Sequence, residues 1–139
     1  MKKVMVFGTF DIVHLGHLNL FRQAKKLGNH LIVVIARDNT VKKVKKIKLV
    51  HNEKERLDFL RNISLVDKAV LGDKLDYYKI IKTEKPDVIA LGYDQKNFID
   101  KLEDKIKEFR LTTKVVRLKS HKPEQYKSGN IRKKISKML

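Results

Sequence analysis

Two histidines framed by two glycines form the strongest chemical signal in the sequence. The stretch reads GTFDIVHLGH and places Gly8, His14, Gly16 and His17 within ten residues. If a helix begins near these histidines, their three-residue spacing puts both imidazoles on one helical face, close to backbone N–H groups and the positive end of the dipole. Such a helix start suits an anion, above all a phosphate group.

A triphosphate fits this pair because two imidazoles can donate hydrogen bonds to oxygens that gain charge as the α-phosphorus is attacked. Gly8 would let the chain turn sharply off a strand, and Gly16 would leave room for the phosphates at the helix start. The alternatives are a buried structural histidine beside a solvent-facing one, and a zinc site. Zinc needs a third ligand at a suitable spacing, which this stretch lacks.

Three further groups are candidates for the same site. A basic loop, expected to fold over the phosphates and neutralise pyrophosphate, carries Lys42, Lys43, Lys45, Lys46 and Lys48. Gly92 and Asp94 follow a predicted strand, so Asp94 either accepts from a ribose hydroxyl or a base amine, or lies in a surface turn. Arg56 either binds the acceptor's phosphate, braces the loop or makes a surface ion pair with Glu53.

The composition narrows the chemistry and the partners. The chain has no cysteine, which excludes disulfides and thiolate chemistry, and its 139 residues suit a single domain over 1–139. No apolar run is long enough for a bilayer span and no signal peptide is apparent, so we expect a cytoplasmic protein. The net charge of +17 is spread along the chain, which favours a solvated lysine-rich surface over a nucleic-acid binder.

Strands and helices alternate along the chain and must position these groups. Predicted strands cover 2–7, 30–36, 68–71, 88–91 and 114–118; predicted helices cover 18–27, 52–61, 76–83, 98–109 and a last segment from Ser128. Leu18, Phe21, Ala24 and Leu27 mark the first helix, and the connection requires parallel strands with a right-handed crossover. The pattern predicts an α/β, doubly wound, Rossmann-like parallel sheet with ligands at the carboxyl ends of the strands.

The stretch GTFDIVHLGH resembles the H-x-G-H signature of cytidylyltransferase-like nucleotidyltransferases. The resemblance extends over most of the chain, and ARDNTVKK, VDKAVLGD and LGYDQ are most similar to archaeal FAD synthases. Glycerol-3-phosphate cytidylyltransferases are the second most similar group. The sequence departs from the family where an Ile-Ser-Thr-Thr type motif opens the last helix, because the chain here reads Tyr126-Lys127-Ser128-Gly129.

The resemblance implies roles for individual residues. Catalysis would rest on His14, His17 and Lys46; ATP would be bound by Gly8, Thr9, Phe10, His14, Leu15, Gly16, His17, Gly92, Asp94, Ser128 and Gly129; the acceptor would contact Asp11 and Arg56. Ser128 is still a good N-cap, and Gly129 would still expose its N–H to an anion. No metal is expected on protein side chains, since Mg²⁺ would be held mainly by the nucleotide phosphates.

The implied function is transfer of AMP from ATP to FMN, giving FAD and pyrophosphate. A glycerol-3-phosphate cytidylyltransferase is the alternative with the same chemistry, and a non-catalytic nucleic-acid-binding protein is the alternative of another class. The flavin ring would need an apolar slot, for which the sequence offers Phe10, Tyr93 and Tyr126. Family resemblance makes a homodimer the default expectation.

Overall fold

One parallel sheet organises the protein. The computed structural model describes residues 1–44, 48–96, 99–120 and 128–138. Its strands are β1 (Lys3–Gly8), β2 (His30–Ile35), β3 (Lys68–Leu71), β4 (Val88–Leu91) and β5 (Lys114–Arg117). They lie in the order β3-β2-β1-β4-β5, and every pair is parallel. This arrangement confirms the doubly wound α/β sheet predicted from the sequence.

Helices connect the strands and cover the sheet. They are α1 (Leu15–Lys25), α2 (Asp38–Val44), α3 (Glu53–Arg61), α4 (Lys79–Glu84), α5 (Leu102–Glu108), which follows a 3₁₀ turn at Ile99–Lys101, and α6 (Ser128–Met138). Within the described ranges, no helix is long and apolar enough to cross a membrane.

The sheet separates two hydrophobic layers, because successive side chains of a strand point to opposite faces. Val4, Val6 and Val33 face the layer that also contains Phe21 of α1 and Leu60 of α3. Met5, Ile32 and Ile89 face the other layer, with Ile81 of α4 and both Leu102 and Ile106 of α5. Strands buried on both faces explain why the sequence shows continuous apolar runs such as HLIVVI rather than alternation.

Strand order reverses between β1 and β4. The connections after β1 and β2 run over one face of the sheet, and those after β3 and β4 run over the other. The two connections therefore diverge at the carboxyl ends of β1 and β4 and leave a crevice there, where doubly wound sheets bind their ligands. Gly8 ends β1 and Gly92 follows β4, so both predicted stretches flank this crevice.

The structure corrects several predicted elements. A helix, α2, occupies part of the stretch that we predicted as a basic loop, so Lys42 and Lys43 are helical and exposed. Residues 76–78 lie outside α4, and the predicted helix over 98–109 divides into the 3₁₀ turn and α5. The first helix begins at Leu15, earlier than its apolar periodicity indicated, which brings both histidines to its first turn.

Candidate active site

The first turn of α1 is capped by the two histidines themselves. The Gly16 N–H donates to Nδ1 of His14 at 3.1 Å, and the His14 N–H donates to Nδ1 of His17 at 3.2 Å. This reproduces the reciprocal logic of a capping box, with imidazoles in place of the usual hydroxyl and carboxylate. The ring centroids lie 3.9 Å apart, which confirms that the imidazoles share one face.

These caps select the tautomer of both rings. A neutral imidazole has one nitrogen that accepts and one that carries the proton. Because Nδ1 of each ring accepts from a backbone N–H, the proton of His14 and of His17 resides on Nε2. Each ring therefore carries one N–H donor, and the two rings lie side by side at the start of α1. The Gly16 N–H is already used in the cap.

Burial favours the neutral form of His14. Its side chain is half-buried, and desolvation lowers the pKa of His14 below the ordinary value of 6.5. A protonated ring would carry hydrogen on Nδ1 and would lose the bond from Gly16. The hydrogen bond that caps the helix therefore requires the neutral form of the His14 ring with its proton on Nε2.

Phe10 rather than Gly8 makes the turn that leaves β1. Phe10 has φ 56° although it is not glycine, and no glycine in the described ranges has a positive φ. The Phe10 ring is buried against His17, at 5.4 Å between centroids, and against Phe21, at 5.5 Å. A Cβ on Gly8 would lie 2.6 Å from Cζ of this ring. Gly8 is therefore needed for close packing, and the predicted sharp turn at Gly8 is wrong.

Asp11 fastens the segment before α3 to the site. Its buried carboxylate accepts from the backbone N–H groups of Val50 at 2.8 Å and His51 at 2.7 Å. The His51 Nδ1 lies 2.9 Å from the Asp11 carbonyl oxygen. These contacts position the loop between α2 and α3, while the predicted contact of Asp11 with the acceptor stays a prediction.

Arg56 is a buried brace. Its side chain is fully buried and donates to the Thr9 carbonyl at 2.7 Å, to Asp38 Oδ1 at 2.7 Å and to the His51 carbonyl at 3.3 Å. The predicted alternative, a surface ion pair with Glu53, is wrong because Glu53 pairs with Arg37. Arg56 acts on the site through Thr9, the residue before the strained Phe10. Because the side chain is fully buried, Arg56 presents no accessible surface to an acceptor phosphate.

Helices α2 and α3 cap each other. The Asp38 N–H donates to Glu53 Oε1 at 2.9 Å, and the Glu53 N–H donates to Asp38 Oδ2 at 3.2 Å. Burial alone would raise the pKa of Glu53, but the Asp38 N–H and Arg37 together hold it below its ordinary value. Arg37 also donates to the Gly72 carbonyl at 2.8 Å. The start of the lysine-bearing helix is thus tied to the ends of β2 and β3.

The segment after β4 is a tight turn beside the same crevice. The Gln95 N–H donates to the Gly92 carbonyl at 3.1 Å, and the Gly92 N–H donates to Gln95 Oε1 at 3.3 Å. Gly92 is buried, whereas Tyr93 and Asp94 are exposed. The surface turn, one of the two alternatives for this segment, is present and places Asp94 at the carboxyl end of β4. The contact of Asp94 with a nucleoside stays a prediction.

The sequence did not indicate Arg117, the residue that is hydrogen-bonded to both ends of this turn. Arg117, at the end of β5, donates from one terminal nitrogen to the Gly92 carbonyl at 2.8 Å and to the Gln95 carbonyl at 2.6 Å. An arginine at the end of an edge strand is typical of a solvent-facing residue, so its position alone gave no signal. The alignment of the ends of β4 and β5 could have indicated it, because parallel neighbours bring those ends together.

An apolar cleft of about 490 Å³ lies between the start of α1 and the end of α3. It is lined by Val13, His14, Leu15, Leu18, Phe59 and Ile63. Leu15 opens α1 with half of its surface exposed, and Phe59 of α3 is 57% exposed. Of the aromatic residues predicted to line a flavin slot, Phe10 is buried in the core and Tyr93 is 39% exposed.

Some predicted site residues are only partly accounted for. Lys45, Lys46 and Tyr126 lie outside the described residues. Lys48 is described and exposed. Ser128 and Gly129 open α6, as predicted from the sequence, but their side-chain surroundings lie outside what is described. Among the described residues, no three histidine, aspartate or glutamate side chains come together to hold a metal ion.

Comparison with known proteins identifies similar sequences of similar length. The model of the cytidylyltransferase-like family matches residues 5–134. An FAD synthase of Thermoplasma volcanium is 40% identical over 139 residues, covering 100% of this chain and 97% of its own. An FAD synthase of Methanobrevibacter smithii is 46% identical over 143 residues, covering 99% and 93%.

Solved structures agree on the architecture. A crystal structure of a Thermoplasma volcanium protein, described as a lipopolysaccharide core biosynthesis protein, superposes with a TM-score of 0.81 at 40% identity, covering 87% of this chain and 98% of that one. A protein of unknown function from Archaeoglobus fulgidus has a TM-score of 0.68 at 20% identity, covering 86% and 90%, and shows the shared fold alone.

Proposed function

The chain belongs to the cytidylyltransferase-like family, and we propose that it is an FAD synthase, which transfers AMP from ATP to FMN with release of pyrophosphate. FAD synthases that match this chain over nearly its whole length, at about 40% identity, support this assignment. The chain is therefore a nucleotidyltransferase enzyme.

The observation that carries the proposal is the pair of fixed imidazoles. Both Nδ1 atoms are held by backbone N–H groups, at 3.1 and 3.2 Å, so two Nε2–H donors stand together at the switch point of the sheet. Donors fixed before the reaction need no reorganisation as charge develops on phosphate oxygens. This favours a reaction in which negative charge shifts on a phosphate chain.

The chemistry then requires positioning more than proton transfer. A phosphate oxygen of FMN attacks the α-phosphorus of ATP, a new phosphorus–oxygen bond forms, and the bond to the β-phosphate oxygen breaks with release of pyrophosphate. The FMN phosphate is largely dianionic near neutrality, so it needs no strong base. His14 and His17 would donate to oxygens of the triphosphate, and alignment of the two phosphates supplies much of the rate.

Magnesium enters as part of the nucleotide substrate. Mg²⁺ usually keeps several waters and binds through phosphates with few protein ligands. When bound, it supplies charge neutralisation on the phosphates.

We propose the following division of the site. The triphosphate side comprises Gly8, Thr9, Phe10, His14, Leu15, Gly16, His17, Ser128 and Gly129, with Lys46 neutralising the leaving pyrophosphate. The nucleoside side comprises Gly92 and Asp94 on the turn after β4. Asp11 and Arg56 lie on the acceptor side, where their contacts with Val50, His51 and Thr9 shape the wall of the crevice.

A four-way substrate assay tests the function. Pyrophosphate release with magnesium is measured for ATP and CTP, each with FMN and with glycerol 3-phosphate, and FAD is identified by chromatography. We expect release only with ATP and FMN. Release with CTP and glycerol 3-phosphate would assign the chain to the second reaction, and silence in all four mixtures would refute both.

A homodimer and a cytoplasmic location, expected from the sequence, stay predictions. Sedimentation equilibrium of the purified chain tests the first. Fractionation of cells that produce the protein tests the second.

A further inference from the structure

The turn after β4 depends on a group that does not belong to it. Its own hydrogen bonds join Gly92 and Gln95 at 3.1 and 3.3 Å. The carbonyl oxygens of the same two residues both accept from one guanidinium nitrogen of Arg117. A terminal guanidinium nitrogen carries two hydrogens, so one hydrogen can bind each carbonyl. Arg117 is therefore hydrogen-bonded to both ends of the turn.

Rigid elements hold the turn on either side. Arg117 ends β5, which pairs with β4 up to Leu91, and the Leu118 N–H donates to the Leu91 carbonyl at 2.8 Å. On the side of α1, a Cβ at Gly92 would lie 3.4 Å from Leu20. Tyr93 and Asp94 are thereby presented at the crevice by a fixed backbone, although both are exposed.

The chain after β5 is fixed in the same region. Gln23 of α1 donates to the Lys119 carbonyl at 2.9 Å and accepts from the Lys119 N–H at 3.0 Å. These two hydrogen bonds fix the chain two residues after Arg117, so the end of β5 that carries Arg117 is anchored to α1. An arginine that rests on an anchored strand and reaches across to two carbonyls of a neighbouring turn can set the geometry of that turn.

We propose that Arg117 is a positioning residue for the adenosine half of ATP. It acts through the turn of residues 92–95, and this role rests on the proposed function of the chain as an ATP-dependent nucleotidyltransferase. The two histidines stand at the start of α1, on the triphosphate side of the crevice. Loss of Arg117 should therefore lower the affinity for the nucleoside and leave the affinity for the phosphates unchanged.

Binding measurements separate these two halves. Isothermal titration with magnesium uses two probes: α,β-methylene-ATP, which contains adenosine, and tripolyphosphate, which does not. For Arg117→Met we expect the Kd of the ATP analogue to rise about tenfold or more, because charged hydrogen bonds to the turn are lost. The Kd of tripolyphosphate should stay at the wild-type value. Arg117→Lys, which keeps a cation and N–H donors, should fall between wild type and Arg117→Met.

The control removes the same charge elsewhere. Arg61 is exposed at the end of α3, so Arg61→Met loses one positive charge without touching the turn. It should bind both probes like the wild type. In turnover, Arg117→Met should raise the KM for ATP while kcat and the KM for FMN stay near wild type.

Each outcome decides the proposal. Unchanged affinity of Arg117→Met for the ATP analogue would overturn it, as would an equal loss of affinity for both probes. If Arg117→Met does not fold, the same comparison is made with Arg117→Lys, where a loss confined to the ATP analogue supports the role. Failure of the wild type to make FAD would refute the proposed function but would leave the binding comparison valid.

Discussion

Each of the two imidazoles in the first turn of α1 uses its two nitrogens for different purposes. Nδ1 accepts a backbone N–H at the helix start, and on the proposed function Nε2–H donates to a phosphate, so alanine substitution removes both roles at once. His17→Glu separates them, because a carboxylate at this position still accepts from the His14 N–H. We expect His17→Glu to keep thermal stability near wild type and to lower turnover by about 10²-fold or more.

His17→Ala is the matched variant. It should lose turnover to a similar extent and also cost about 1 kcal/mol of stability, because the cap is gone. Unfolding in urea and FAD production are measured on both proteins. Near-normal turnover in His17→Glu would refute the assignment of His17 as a phosphate donor.

The lowered pKa of His14 gives stability a defined pH dependence. Since burial lowers the pKa of His14 in the folded chain, the unfolded chain takes up a proton first as pH falls. The contribution of His14 to stability should be complete above pH about 6.5 and should be lost as pH falls through the window below that value.

His14→Asn is the control, because asparagine is a good N-cap acceptor that does not titrate. The unfolding free energy of the wild type minus that of His14→Asn should fall as the pH is lowered from 8 to 5.5. A value that stays constant or rises as the pH is lowered would contradict the assignment.

Close packing at Gly8 gives a third test. In Gly8→Ala the new Cβ meets the buried Phe10 ring at 2.6 Å, and overpacking of this kind costs about 1–3 kcal/mol. Because that ring contacts His17, turnover should fall as well. Gly72→Ala is the control, since its Cβ would meet only ordinary contacts at 3.6 Å or more. Equal stability of the two variants in thermal unfolding would exclude this explanation.

The sequence correctly predicted that the two histidines share one helical face, but it did not predict the contacts that hold the surrounding backbone in place. Spacing alone placed His14 and His17 on one face. The positive φ of Phe10 and the burial of Arg56 depend on tertiary contacts, which no local pattern displays. Of the three alternatives for Arg56, the ion pair with Glu53 follows from nearness in sequence, whereas the carboxylate that is near in space is that of Asp38.

Helices α2 and α3 form a unit whose stability depends on a buried cation. Removing Asp38 leaves Arg56 without its carboxylate and uncaps Glu53. We expect Asp38→Ala to lower the unfolding free energy by about 2–4 kcal/mol, because breaking a buried ion pair leaves an uncompensated charge. Urea unfolding measures the loss.

Two comparisons sharpen this result. Asp58→Ala, which removes an exposed carboxylate of α3, should change stability by less than about 0.5 kcal/mol. The double variant Asp38→Ala/Arg56→Met should be less destabilised than the sum of the single variants, because the unpaired charge is gone. Strict additivity would show that the pair does not couple the helices.

Strands were easier to predict than helices in this chain. Buried apolar runs gave β3 and β4 their observed bounds and gave the other strands theirs within one residue. Helix α2 was not predicted because the carboxylate that caps its first N–H belongs to Glu53, 15 residues further along the chain. Its own Asp38-Asn39-Thr40 was the available signal, since aspartate is common in the first turn of a helix.

The net charge of the whole chain predicts a binding property that is separate from catalysis. A protein of charge +17 should bind mixed-sequence duplex DNA weakly, through phosphates alone. This affinity should fall steeply between 50 and 200 mM salt, whereas FAD production should persist. Fluorescence anisotropy with labelled DNA measures the first quantity. Tight, salt-resistant binding would instead support the nucleic-acid-binding alternative.

The cap of α1 also limits how the protein can be made more heat-resistant. Serine at the N-cap and glutamate three residues later are the usual choices of a stability engineer, and positions 14 and 17 would be obvious targets. Both substitutions would improve the helix start and remove the N–H donors that the site presents. On the proposed function, thermostabilisation must therefore proceed elsewhere, because these two positions serve phosphate binding as well as the helix start.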